Sequence, residues 1–130
     1  MQEKKILIID DDKDVQHVLQ TRLKSLGYLV ALADDAIAAI SVARSVKPDL
    51  IVLDIGLPGG DGFVVMERLN SLHELARTPI IVVSAQDAAA TKDRALKAGA
   101  VAYFQKPIKS QNFFNTVRLT LGQVAVPEEK

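Results

Sequence analysis

Five short apolar runs recur along the chain at near-regular intervals, at residues 6–9, 28–33, 50–53, 80–83 and 101–104. Most are continuous rather than alternating. A strand with one wet face alternates apolar and polar residues, whereas a strand covered on both faces reads as an unbroken apolar stretch. Between the runs, apolar residues fall at helical spacing. Val15, Val18, Leu19, Leu23 and Leu26 mark one stripe, with Gly27 as a C-terminal stop. Ile37, Ile40 and Val46 mark a second, closed by Pro48. Phe63, Met66 and Leu69 mark a third over residues 62–70, alanine-rich residues 88–98 give a fourth, and Phe113, Phe114, Val117 and Leu121 a fifth. Strand and helix thus alternate five times. The pattern predicts an α/β domain, a doubly wound five-stranded parallel sheet of (βα)5 type.

A chain of 130 residues suits one such domain. Residues 1–122 are read as the domain. Residues 123–130, with a proline and three charged side chains, read as a solvated tail or the start of a linker. Sixteen basic and sixteen acidic side chains cancel, so the basic footprint of a domain that binds nucleic acid directly is missing. The absence of cysteine excludes disulfides and thiolate metal sites. The first apolar run ends in acids after four residues and is no signal peptide. No segment approaches the roughly 20 apolar residues of a membrane span. A cytoplasmic protein without membrane contact is the expectation.

In open parallel sheets, ligands bind beyond the carboxyl ends of the strands, so the informative residues are those that follow each run. Asp10 and Asp11 follow the first, in "KILIIDDDKD", and Asp54 follows the third, in "IVLDIGLPGGDGF". Ser84 follows the fourth and Lys106 the fifth, in "YFQKP". Two carboxylates about 4 Å apart repel by about 4 kcal/mol at an effective dielectric near 20. A chain that gathers them implies a counter-charge. Hard oxygen ligands without soft ones suit Mg2+ or Mn2+. Lys106 and Ser84 are suitable partners for phosphoryl oxygens, and a carboxylate such as Asp54 can attack phosphorus to give an acyl phosphate.

With "IIDD" after the first run, "LD" before "LPGGDG", "VSA" after the fourth and "KP" after the fifth, the chain resembles the receiver domain of bacterial two-component response regulators over residues 4–121. Each dipeptide alone is weak; in order, each at a strand end, they are specific. The resemblance implies a flavodoxin-like strand order, 2-1-3-4-5. It implies Asp54 as phospho-acceptor and Asp10, Asp11, Asp54 and the backbone carbonyl of Gly56 as the metal site. It further implies Ser84 and Lys106 as phosphoryl-binding residues, Ser84 and Tyr103 as the switch pair, and a cis Lys106–Pro107 bond. Partners follow from the same resemblance: a sensor histidine kinase or histidine phosphotransfer protein as donor, and a downstream protein target or an output domain as reader. The domain would catalyse only its own phosphorylation and dephosphorylation. Gly56 and Gln86 occupy positions that modulate the phosphoryl lifetime in that family. Val101 and Ala102 stand where receivers that pair through one particular dimer face carry acids, which points to a monomer or weak dimer. The chain is read as a stand-alone or scaffold receiver, with a receiver excised from a longer protein as the alternative.

Other acids have plainer roles. Asp12 reads as the N-cap of the first helix, with Asp14 favourably placed against the helix dipole. Asp61, Asp34 and Asp35 read as turn or cap residues. Gly59 and Gly60 read as a tight turn, since no Gly-Lys-Ser/Thr follows. His17 and His73 have no partner at metal-ligand spacing. The rival reading is a haloacid-dehalogenase-type phosphatase, which also attacks with an aspartate at a strand end. It needs a second aspartate two residues on as proton donor, and here that residue is Gly56. A flavodoxin-like electron carrier fits poorly with an acidic first loop. A pseudo-receiver would lack the acceptor or the lysine.

Overall fold

A computed structural model describes residues 3–57, 61–108 and 111–123. Along the chain lie β1 (Lys5–Ile9), α1 (Lys13–Ser25), β2 (Leu29–Ala33), α2 (Ala36–Val46), β3 (Leu50–Asp54) and α3 (Gly62–Ser71). There follow a single 3-10 turn (His73–Leu75), β4 (Ile80–Ser84), α4 (Ala88–Lys97), β5 (Ala102–Gln105) and α5 (Gln111–Thr120). The strands form one parallel sheet in the order β2-β1-β3-β4-β5. This is the expected doubly wound (βα)5 arrangement.

The continuous apolar runs have a direct explanation. Alternate side chains of each strand enter opposite layers, and both layers are dry. Leu7, Ile9, Ile51, Leu53, Ile80 and Val82 pack with Ala39 and Ala43 of α2 and Val65, Met66 and Leu69 of α3. Ile6, Ile8, Leu50, Val52, Ile81 and Val83 pack on the other side with Leu19 and Leu23 of α1 and Phe113, Phe114 and Val117 of α5. Phe113 meets both Phe104 and Phe114 edge-on, at centroid distances of 5.3 and 5.0 Å.

The helix faces depart from the sequence reading at two points. In α1, Gln16 is buried beside Leu19 and Leu23 while Val18 is 55% exposed. In α2, the buried residues are Ala39 and Ala43, and Ile37 is 81% exposed. Small alanines let α2 approach the sheet closely, so the larger isoleucine is turned outward. β2 begins one residue later than the apolar run, with Tyr28 buried among the α1 and α5 side chains. β5 runs from Ala102 to Gln105, leaving Val101 half exposed before it. The turn at His73–Leu75 is too short for any periodicity to announce.

Asp12, Asp35, Asp61 and Asp87 accept hydrogen bonds from the free amides at the starts of α1, α2, α3 and α4. The capping reading of Asp12, Asp35 and Asp61 is therefore met. Asp34 differs, since its carboxylate is held by Lys13 and Gln16 instead. Gly62 is fixed by close approach: a β-carbon there would lie 2.2 Å from the Cα of Ile55. Its amide donates to the Ile55 carbonyl at 3.1 Å, which folds the chain after β3 back on itself. The expected turn at Gly59 and Gly60 and the tail at residues 124–130 lie outside the described residues.

Candidate functional site

Parallel pairing brings every strand's carboxyl end to one edge of the sheet. Asp54 and Ser84 are the last residues of β3 and β4, Asp10 follows β1 directly, and Lys106 follows β5. The register keeps them level: Asp54 pairs with Val83 and Ser84 with Gln105. Backbone bonds from Asp10 N to Ala33 O at 3.1 Å and from Lys106 N to Ser84 O at 2.7 Å extend the ladder into the loops.

Carboxylate oxygens of Asp10, Asp11 and Asp54 lie within 4.8 Å of one another. Asp10 is fully buried, Asp54 is 7% exposed, and Asp11 faces solvent. Lys106 Nζ reaches into the group, 2.7 Å from Asp10 Oδ2 and 3.1 Å from Asp54 Oδ2. Asp54 Oδ1 accepts from the Gly56 amide at 2.8 Å, and Asp10 Oδ1 from the Asp12 amide at 2.9 Å. Asp10 Oδ2, by contrast, receives no aligned hydrogen bond. Its contact with Lys106 is a close ion pair.

The charges respond accordingly. Burial pushes the Asp10 carboxyl above the ordinary value, against the opposing pull of the Lys106 ammonium and the Asp12 amide. Burial also pulls Lys106 down, but the close ion pair with Asp10 and the hydrogen bond and charge of Asp54 outweigh it and hold the ammonium above its ordinary value. The Lys106 ammonium thus contacts two of the three carboxylates, Asp10 and Asp54. An underbonded buried oxygen, an all-oxygen donor set and an excess of negative charge fit a hard divalent cation such as Mg2+ or Mn2+.

Ser84 is buried, and its hydroxyl oxygen accepts from the Gln86 amide at 3.0 Å. Gln86 gathers further contacts. Its carbonyl accepts from the Tyr103 hydroxyl at 2.8 Å, and its side-chain oxygen accepts from the Thr91 hydroxyl at 3.2 Å. Tyr103 is itself buried in the layer beneath α2, α3 and α4. The Lys106–Pro107 peptide is cis, as expected.

The sequence reading did not single out Gln16 as part of this region. Its Nε2 donates to the backbone carbonyl of Asp10 and, at 2.7 Å, to Asp34 Oδ1. Hydrogen bonds from Lys13 and Gln16 hold the Asp34 carboxyl below its ordinary value. The available signal was the spacing of residues 16, 19 and 23, which places Gln16 on the buried face. Apolar counting passed over it because Val15 and Val18 looked like better members.

Residues 6–118 match the family model described as "Response regulator receiver domain". The chain belongs to the response regulator receiver family. It is 32% identical over 126 residues to the response regulator MprA of Mycobacterium ulcerans, covering 97% of this chain and 53% of the relative. The chain therefore spans about half the length of the curated relatives it matches. Among solved structures, a putative response regulator from Chloroflexus aurantiacus is similar with a TM-score of 0.87 and 30% identity, covering 94% of this receiver and 100% of that chain. The receiver domain of the sensor histidine kinase PA1611 from Pseudomonas aeruginosa matches with a TM-score of 0.84 and 30% identity, over 94% of this receiver and 100% of that chain. That structure is described with a magnesium ion coordinated in its active site cleft. The family assignment gives no support to the phosphatase alternative.

Proposed function

We propose that this receiver accepts a phosphoryl group on Asp54 from a phosphohistidine of a sensor histidine kinase or histidine phosphotransfer protein. The observation that carries the reading is the setting of the Asp54 carboxylate. It is nearly buried at a strand end and held by the Gly56 amide on one oxygen and Lys106 on the other. An oxygen so fixed attacks phosphorus in line, the phosphorus–nitrogen bond of the donor breaks, and the imidazole leaves with its bonding electron pair. Asp10, Asp11, Asp54 and the backbone carbonyl of Gly56 would hold Mg2+ or Mn2+. When bound, the cation supplies charge neutralisation for the phosphoryl oxygens. Lys106 and the Ser84 hydroxyl bind those oxygens.

Hydrolysis by water reverses the modification, so the domain catalyses only its own phosphorylation and dephosphorylation. Departure of the Ser84 hydroxyl from the Gln86 amide alters the contacts that Gln86 makes with Tyr103 and Thr91. The change spreads to α4, β5 and α5, where a protein target or an output domain reads it. The donor protein seats on an apolar cleft of about 310 Å³ lined by Val15, Val18, Leu19, Pro107 and Ile108 beside Lys106, a reading supported by the exposure of Val18. We assign residues 1–122 to the receiver and place it in the cytoplasm, as a monomer or weak dimer without direct nucleic-acid contact. No helix among the described residues is long and apolar enough to cross a membrane.

Incubation with acetyl phosphate and Mg2+ tests the proposal. One acid-labile phosphoryl group per chain is expected, lost when EDTA replaces the cation. Uptake at the same rate in EDTA would contradict the metal assignment.

A further inference from the structure

Burial of an amide side chain on α1, in place of the exposed Val18, needs a physical reason. An unbonded amide in such a place is costly, and Gln16 uses both of its N–H bonds across chain segments rather than within its helix. One goes to the carbonyl of Asp10, six residues earlier, and the other to Asp34, eighteen residues later. Asp34 is gripped from its other oxygen by Lys13 at 2.7 Å. The Asp10 carbonyl belongs to the peptide plane that joins Asp10 to Asp11. Fixing that oxygen orients the Asp11 amide and places its Cα, and the Asp12 amide beyond it is held by Asp10 Oδ1 at 2.9 Å, so the backbone is tied on both sides of Asp11. Asp11 is the exposed member of the three acids. Its carboxylate has no ion-pair partner among the described residues, so the backbone is what orients it.

We propose that Gln16 is a positioning residue for the cation site: its amide clamps the Asp10–Asp11 peptide against Asp34, so that Asp11 is aimed at the cation before it arrives. The inference rests on the metal-site reading above. Groups that orient ligands without touching the metal typically change affinity by about 10- to 100-fold when removed.

The test is Mg2+ binding to the whole chain, followed by calorimetry with MgCl2 at a temperature where each variant is folded. Gln16→Met keeps the side-chain length and removes both donors; it is expected to weaken Mg2+ by about tenfold or more. Gln16→Arg retains donors toward the same oxygens and is expected to bind Mg2+ more tightly than Gln16→Met even though its added positive charge opposes the cation, a rescue that loss of packing alone would not give. Should Gln16→Met not fold, Asp34→Ala removes the outer anchor at an exposed position and is expected to weaken Mg2+ about threefold or more. Parental affinity in Gln16→Met, or in Asp34→Ala where it stands in, overturns the clamp while leaving the metal site intact. Absence of Mg2+ binding by the parent chain overturns both.

Discussion

Asp10 carries the electrostatic tension of the site. Its folded pKa lies above the ordinary 3.8, so between that value and the folded pKa the folded state holds a proton that the unfolded chain has lost. Its contribution to stability therefore falls as pH rises through that window, and at neutral pH its buried charge is a cost. Lys106 works in the opposite range. Its raised pKa gives stability that is fully present below the ordinary 10.5 and is lost as pH rises through the folded value. Asp10→Asn is thus expected to raise the melting temperature of the metal-free protein at neutral pH by a few degrees, about what 1 kcal/mol gives in a domain of this size. The same variant should bind Mg2+ more weakly. Thermal melts in EDTA check the first effect, and a lower melting temperature would contradict the account of Asp10 as a strained, underbonded acid.

The elements that frame the site depend on a few close contacts. Gly62 opens α3 with its Cα hydrogens against the Ile55 backbone, and a methyl group there meets main chain that cannot step aside. Gly62→Ala is expected to destabilise the fold by about 3 kcal/mol or more, the upper range of overpacking costs, seen as an earlier urea midpoint. An unchanged midpoint would show that the chain after β3 is freer than its geometry implies. At α4 the opposite condition holds, since its buried residues are only Thr91 and Ala95. Little apolar area holds that helix, so its amides are expected to exchange faster than those of β3 and β4, and to slow when beryllofluoride and Mg2+ are added. Equal exchange in both states would remove α4 from the readout. These elements were unequally legible in sequence. Strands announced themselves because both faces are dry, and Asp12, Asp35 and Asp61 as caps because they precede apolar stripes, whereas Asp87 before the alanine-rich α4 did not. Gln16, Thr91 and Ile37 ran against the apolar count, because close packing and cross-chain hydrogen bonds decide their burial.

For the whole molecule, the parallel topology turns scattered residues into one site. Asp10, Asp54, Ser84 and Lys106 were legible because each is a polar residue ending an apolar run, and parallel pairing sends every such end to the same edge. The part that stayed hidden is the set of groups that hold them: the Gly56 amide on Asp54, the Gln86 contacts with Ser84 and Tyr103, and the Gln16 bridge to Asp34. Those depend on which loops meet in space. In the proposed reaction the Asp54 carboxylate itself forms the bond to phosphorus. Borohydride reduction of the protein after treatment with acetyl phosphate and Mg2+, followed by peptide mass spectrometry, reads this directly, because reduction of an aspartyl phosphate leaves homoserine. Homoserine at position 54, absent from Asp54→Asn, is the predicted result. Homoserine at Asp10 or Asp11, or phosphate uptake at the parental level in Asp54→Asn, would contradict it.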